Sequence, residues 1–160
     1  MPRLETLSEV VRQVLLSFPC VEYDTTPWMP VQHELSHSTL ALVTTAGLHL
    51  RGDAPFISDP QGGDASYRVI PVQAKAGDIL QSHVSIGFDH TAFYRDMNVT
   101  LPLDRLHELV QRGILGQLAP HAYSFMGAIR NPRRLLEETG PEVAQRLKNE
   151  GVEVVLLTPT

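Results

Sequence analysis

Apolar residues at Leu4, Leu7, Val10, Val11, Val14, Leu15 and Phe18 recur at helical spacing until Pro19 interrupts them. The pattern predicts an amphipathic helix packed on the body by this stripe, with Arg3, Glu5, Glu9, Arg12 and Gln13 on the opposite face. Cys20 to His37 has no period and holds Pro27, Trp28 and Pro30, so an irregular segment is expected. Thr39 to Thr45 is a short apolar run closed by Ala46-Gly47, the signature of a strand buried on both faces in a parallel sheet. Gly47, Gly52, Pro55, Pro60, Gly62 and Gly63 then crowd together and predict a long loop without regular structure. Tyr67 to Val72 reads as a second strand, with Pro71 pointing to an edge or a strand end.

Leu103, Leu106, Leu109 and Val110 share one face of a helix over Asp104 to Arg112 that stops at Gly113. Asn131-Pro132 predicts another helix start. Thr139-Gly140-Pro141-Glu142 has capping-box spacing ahead of Val143, Ala144 and Leu147, and predicts a further helix ended by Gly151. The apolar strand Val152 to Leu157 follows almost without a loop, which is the helix-to-strand step of an α/β fold. We therefore expect a single α/β domain over residues 1–160: a mostly parallel open sheet with flanking helices, incomplete at its carboxy-terminal strand. Residues 1–38 supply the first helix and irregular segment, and residues 39–160 the body. A run as apolar as Val152 to Leu157 belongs inside such a sheet, and its carboxyl end, at Thr158-Pro159-Thr160, is where α/β proteins place ligands.

Composition narrows the partners. Thirteen Lys and Arg against 18 Asp and Glu give a net charge of −5, and the basic residues are scattered, which argues against nucleic acid. No apolar run is long enough to cross a bilayer, and the N-terminus lacks the apolar core of a secretory signal. Cys20 is the single cysteine, so no internal disulfide or Cys-x-x-Cys site exists; we read a buried thiol in a cytoplasmic protein.

Candidate chemistry from the residues alone is sparse. His83, Asp89, His90 and Asp96 lie within one segment, and a metal-dependent enzyme built on His83, His90 and Asp96 is a third-ranked reading. Their spacing matches no zinc signature, and no metal site is assigned. Ser66 and Ser124 lack the glycine setting of a nucleophile elbow. The Gly47 to Gly52 stretch fits neither dinucleotide nor P-loop spacing.

Longer strings carry more. Ala41–Gly52, Pro55-Phe56, Gly63–Pro71, Ser82-His83, Asp96–Val99, Pro102–Leu106, Gly113–Gly116, Tyr123–Gly127 and Val155–Thr160 resemble, in order, the selenoprotein B family of glycine, sarcosine and betaine reductases and the related D-proline reductase subunit. The resemblance runs from about Ala41 to Thr160. It implies an oxidoreductase component that cleaves the C–N bond of a small amino acid or amine reductively, with a dithiol/disulfide couple. In the family the residue directly after the Thr-Pro-Thr string is selenocysteine, or cysteine in some relatives, followed by a Cys-His pair. The nucleophile is thus expected just after Thr160, where a UGA codon would be misread as a stop, and no catalytic nucleophile is expected within the sequence itself.

By the same resemblance, Thr158, Pro159 and Thr160 would shape the nucleophile's turn. His49, Arg51, Asp64, Ser66, Arg68, His83, Asn98 and Ser124 are candidates to line the substrate cleft, where an Arg or His would hold a carboxylate. No cofactor is expected in the chain. The family implies a pyruvoyl group on a companion subunit, and a selenoprotein or thiol as reductant. The alternative is a non-catalytic binding or assembly module on the same scaffold, its last strand completed by a partner chain. For the 160-residue chain alone we expect no reductase turnover, and self-association through the uncovered strand.

Overall fold

The computed structural model describes residues 3–17, 22–57, 63–85 and 88–159. Two compact units divide the chain, Met1–Pro30 and Val31–Thr160. In the first, a 3-10 turn over Leu4–Thr6 precedes helix α1 (Glu9–Leu16). Glu9 ties its opening turn by accepting from Arg12 and from Gln13 Nε2 at 2.8 Å. No residue of α1 is buried within this unit. Phe18 and the thiol of Cys20 lie outside the described residues.

The second unit is built on a sheet whose centre is β1 (Thr39–Thr44). On one side β1 pairs in parallel with β5 (Gln117–Leu118) and then β6 (His121–Phe125). On the other it pairs in parallel with β7 (Val154–Thr158), from Leu40↔Val154 to Thr44↔Thr158. β3 (Tyr67–Pro71) adds antiparallel to β6 at the far edge, where Pro71 ends it as expected. Side chains of β1 alternate between two cores. Leu40 and Leu42 join Leu48, Ile70, Phe93, Leu101 and Leu106 on the face covered by helix α3 (Leu103–Gln111). Ala41 joins Tyr123, Phe125, Val143 and Leu147 on the face covered by helix α4 (Gly140–Asn149). The expected α/β architecture, a mostly parallel sheet with flanking helices, is present.

Glu150, just past α4, accepts from Tyr123 Oη at 3.0 Å and from His121 Nδ1 at 2.8 Å, fastening the helix to β6. Burial and this bond push the Tyr123 phenol up to about 12. Gly151 closes α4 in the left-handed region (φ 71°), and Gly113 does so after α3 (φ 67°).

Residues 31–38 belong with the second unit, where the Leu35 and Ser38 carbonyls accept from Gly116 and Gln117. The structure departs from the sequence expectations in three places. The first is the glycine-rich stretch, which contains a strand, β2 (Leu48–Leu50), paired antiparallel with β4 (Ile79–Gln81). Second, the helix starts at Asn131-Pro132 and Thr139–Glu142 merge through a π-helical turn over Leu135–Thr139. Pro141 has no N–H to give the helix interior, and the widened turn absorbs the missing bond. Thr139 makes no cap, because its hydroxyl donates to the Ala65 carbonyl at 2.7 Å.

The third concerns β7. Among the described residues it pairs only with β1, so it lies at the sheet edge and not in the centre. Val155, Leu156 and Leu157 are 41%, 37% and 66% exposed.

Candidate functional site

The carboxyl ends of β1, β6 and β7 meet at one side of the sheet. Thr45 N–H donates to the Thr158 carbonyl at 3.2 Å, and Gly127 N–H to the Thr45 carbonyl at 2.8 Å. The Thr158 hydroxyl donates to the Thr100 carbonyl at 3.0 Å, pinning the tip of β7 to the segment ahead of α3. Pro159 follows, exposed, and Thr160 lies outside the described residues.

Gly47 makes the next turn possible. It sits at φ 65°, and a Cβ there would stand 3.0 Å from the backbone Cα and N of His83. A residue with a side chain would meet both the conformational penalty and the close approach. Ser82 N–H donates to the Gly47 carbonyl at 2.9 Å, so the segment carrying His83 is stitched to the end of β1. Gln81 Nε2 donates to the Ala46 carbonyl at 3.2 Å, while its Oε1 lies 3.1 Å from His90 Nδ1. His90 opens the short helix α2 (His90–Arg95). Phe88 packs between the two imidazoles, stacked on His83 at 4.3 Å and edge-on to His90 at 5.3 Å.

His83 is 6% exposed. Its Nδ1 accepts from Ser85 N–H at 3.1 Å, which leaves the ring proton on Nε2. Burial, and behind it the charge of His90, pushes this imidazole below its ordinary value and keeps it neutral at pH 7. With one nitrogen accepting and the other protonated, the ring offers no lone pair to a cation. Asp89 and Asp96 are occupied as caps, accepting from Thr91 and Asn98. No group of three or more metal-ligating side chains occurs among the described residues.

The other resemblance-derived residues fall into separate local roles. Asp64, Ser66 and Arg68 form one clamp. Asp64 accepts from Ile57 N–H at 3.0 Å and from the N–H and hydroxyl of Ser66. Burial alone would raise the Asp64 carboxyl. The bonds from Ser66 and Ile57 and the charge of Arg68 outweigh it and hold the group below the usual carboxylate range. Arg68 donates to the carbonyls of Ala54 (2.7 Å), Tyr67 (3.0 Å) and Pro55 (3.2 Å) and to Ser66 Oγ (2.9 Å), with its guanidinium 4.3 Å from the Phe56 ring. Asn98 bridges Asp96 and Asp104 at the start of α3. Ser124 is buried and accepts from Leu48 N–H at 2.8 Å. His49 is buried and its Nδ1 donates to the Leu50 carbonyl at 2.8 Å. Arg51 donates to the Gly77 carbonyl at 2.9 Å and lines, with Arg95, Phe93, Tyr94 and Met97, a cavity of about 420 Å³.

Of the eight cleft candidates, His83 is the one the structure brings to the β-strand tips together with an unused polar atom. Phe88, which stacks on His83, and Gln81, which meets His90, carry no motif, whereas His90 is grouped with His83 in the metal reading. Gln81 stands at the end of a three-residue strand that periodicity cannot detect. On the opposite face of the sheet, Val43, Phe125, Val143, Leu147, Val155 and Leu157 line an apolar cavity of about 300 Å³ beside β7.

A family model described as glycine/sarcosine/betaine reductase selenoprotein B (GRDB) matches residues 14–160. The chain is 43% identical over 131 residues to the D-proline reductase subunit gamma of Acetoanaerobium sticklandii, covering 82% of this chain and 52% of that protein. It is 28% identical over 146 residues to a glycine reductase complex component B subunit gamma of Carboxydothermus hydrogenoformans, covering 89% of this chain and 32% of the relative. A betaine reductase complex component B subunit beta of Peptoclostridium acidaminophilum is 30% identical over 133 residues, covering 79% and 29%. The chain thus spans about half the length of the first relative and about a third of the others. No solved structure matches.

Proposed function

Because the chain belongs to the glycine/sarcosine/betaine reductase selenoprotein B family, we propose that it is the scaffold half of a cytoplasmic reductase subunit that cleaves the C–N bond of a small amino acid or amine. Its nucleophile, a selenocysteine or cysteine, would stand directly past Thr160. The observation that supports this best is that the family match takes in the whole parallel pair β1 and β7, whose carboxyl ends are joined by the bond from Thr45 to Thr158 and tied to Thr100.

The chain's own residues would act as follows. The paired ends of β1 and β7 hold the nucleophile's turn, with Thr158 locking its last strand position. A chalcogenol at a strand end ionises more readily when backbone donors surround it. A pyruvoyl group on a companion subunit would activate the substrate amine, and none of the residues described above is assigned to that group. A dithiol, or a second selenoprotein, would supply the electrons.

A second reading, a binding or assembly module whose β7 is completed by a partner chain, draws on the same exposed strand. Reading the codon after Thr160 separates the two. An in-frame UGA followed by a Cys-His-containing helix is expected; UAA or UAG contradicts the reductase assignment.

A further inference from the structure

Five arginines, Arg12, Arg105, Arg133, Arg134 and Arg146, each pair with a glutamate three or four positions away. Arg68 is committed to three carbonyls and to Ser66. Arg51 and Arg95 make no ion pair among the described residues, in a chain with 18 acidic side chains against 13 basic ones. Both line the cavity of about 420 Å³ beside the β2–β4 pair, and no Asp or Glu is among its walls. The nearby carboxylates have other partners: Asp53 accepts from Leu50 N–H, and Asp89, which feels the charge of Arg95, accepts from Thr91. Asp78 meets Arg51 N–H through its backbone carbonyl.

Each cation stands on a fixed element. Arg51 directly follows β2, and its Nη2 donates to the Gly77 carbonyl at 2.9 Å, which leaves its other guanidinium N–H groups open to a ligand. Arg95 is the last residue of α2, a helix anchored by the buried Phe93 and capped by Asp89. Between them the lining is apolar, with Ile79 and Phe93 buried and Leu80 and Met97 half-buried. The volume is that of a small-molecule pocket, roughly 300–1,000 Å³. The β2–β4 pair runs from Leu48↔Gln81, near the strand tips, to Leu50↔Ile79, at the cavity, so the two places are opposite ends of one small sheet.

We propose that this cavity binds a small organic acid without an amino group, its carboxylate held by Arg51 and Arg95 and its carbon skeleton against Ile79, Phe93 and Met97. A guanidinium fork matches a carboxylate, and apolar walls strengthen the attraction while favouring a ligand with a hydrocarbon part over inorganic phosphate. An ammonium group would face two cations with no acidic side chain in the walls to receive it. The site does not rest on the reductase reading, which concerns the strand tips.

The test uses the full-length gene product and isovalerate as the probe, followed by titration of backbone amide 15N–1H spectra. Saturable shifts at Gly77, Phe93 and Met97 are expected in about the millimolar range, as a ligand of so few atoms allows. Arg95→Gln alters an exposed side chain and is expected to weaken binding about tenfold while leaving the fold intact, and Arg51→Gln to weaken it by a similar factor. Valine, which is isovalerate carrying an ammonium group, and inorganic phosphate are each expected to bind at least about tenfold more weakly than isovalerate. The proposal is overturned by the absence of saturable shifts at these amides, by unchanged binding in Arg95→Gln, or by valine or phosphate binding as tightly as isovalerate.

Discussion

β1 and β7 are neighbouring parallel strands of nearly the same composition, Thr-Leu-Ala-Leu-Val-Thr against Val-Val-Leu-Leu-Thr, and they meet opposite fates. β1 is paired on both sides and covered on both faces; β7 is paired on one side and leaves Val155, Leu156 and Leu157 in contact with solvent. A continuous apolar run reports how a strand wants to be covered, not how many neighbours it has. The difference also separates stability from function: β1 holds the unit together, while β7 carries its tip to the place where chemistry is proposed.

The largest expected effect is on β1. Leu42→Ala removes a side chain 1% exposed and should cost about 2–5 kcal/mol in urea unfolding, whereas Leu157→Ala should change stability by no more than about 0.5 kcal/mol. Equal losses would break the contrast between the strands. Gly47→Ala comes next. It imposes a left-handed alanine at about 1–2 kcal/mol and a contact with His83 in addition, so it should destabilise more than Gly113→Ala, whose Cβ meets nothing within 4 Å. Thr158→Val, which deletes the bond to Thr100, should cost about 1 kcal/mol in the same assay.

A pH series sharpens the comparison further. The folded state holds His83 below its ordinary value of 6.5, so the stability linked to its neutral form is full above 6.5 and declines as pH falls toward the lowered folded value. His83→Gln should flatten that limb. Asp64 is held below its ordinary 3.8, so its contribution is full above 3.8 and declines only in more acidic solution; Asp64→Asn should flatten that later limb and leave the first. Melting temperatures across pH for the two variants distinguish the limbs. The smallest change in stability is expected for Leu156→Lys on β7, whose effect should appear instead as reduced self-association in sedimentation.

Much of the fold was legible because strong local signals agreed with it. β1, the edge placement of β3 by Pro71, the stop of α3 at Gly113 and that of α4 at Gly151 all follow from residues acting within a few positions of themselves. What escaped depended on partners distant in sequence. β2 exists because β4 pairs with it, and a three-residue strand has too few positions to show a period. Thr139 has the spacing of a cap but donates to Ala65, and the edge position of β7 is a property of the whole sheet.

The site divides in the same way. Asp64, Ser66, Arg68 and Asn98 are polar residues in family strings, and the structure shows each engaged in holding its own loop or helix start. His83 is distinguished only by what it lacks, an acceptor for Nε2, and no sequence pattern records a missing hydrogen bond.

Intact-mass and selenium analysis of the native gene product, isolated from its source, addresses the central claim most directly. The account predicts a polypeptide that continues past Thr160 with one selenium atom, or a cysteine, at the next position; a mature chain whose last residue is Thr160 would contradict it.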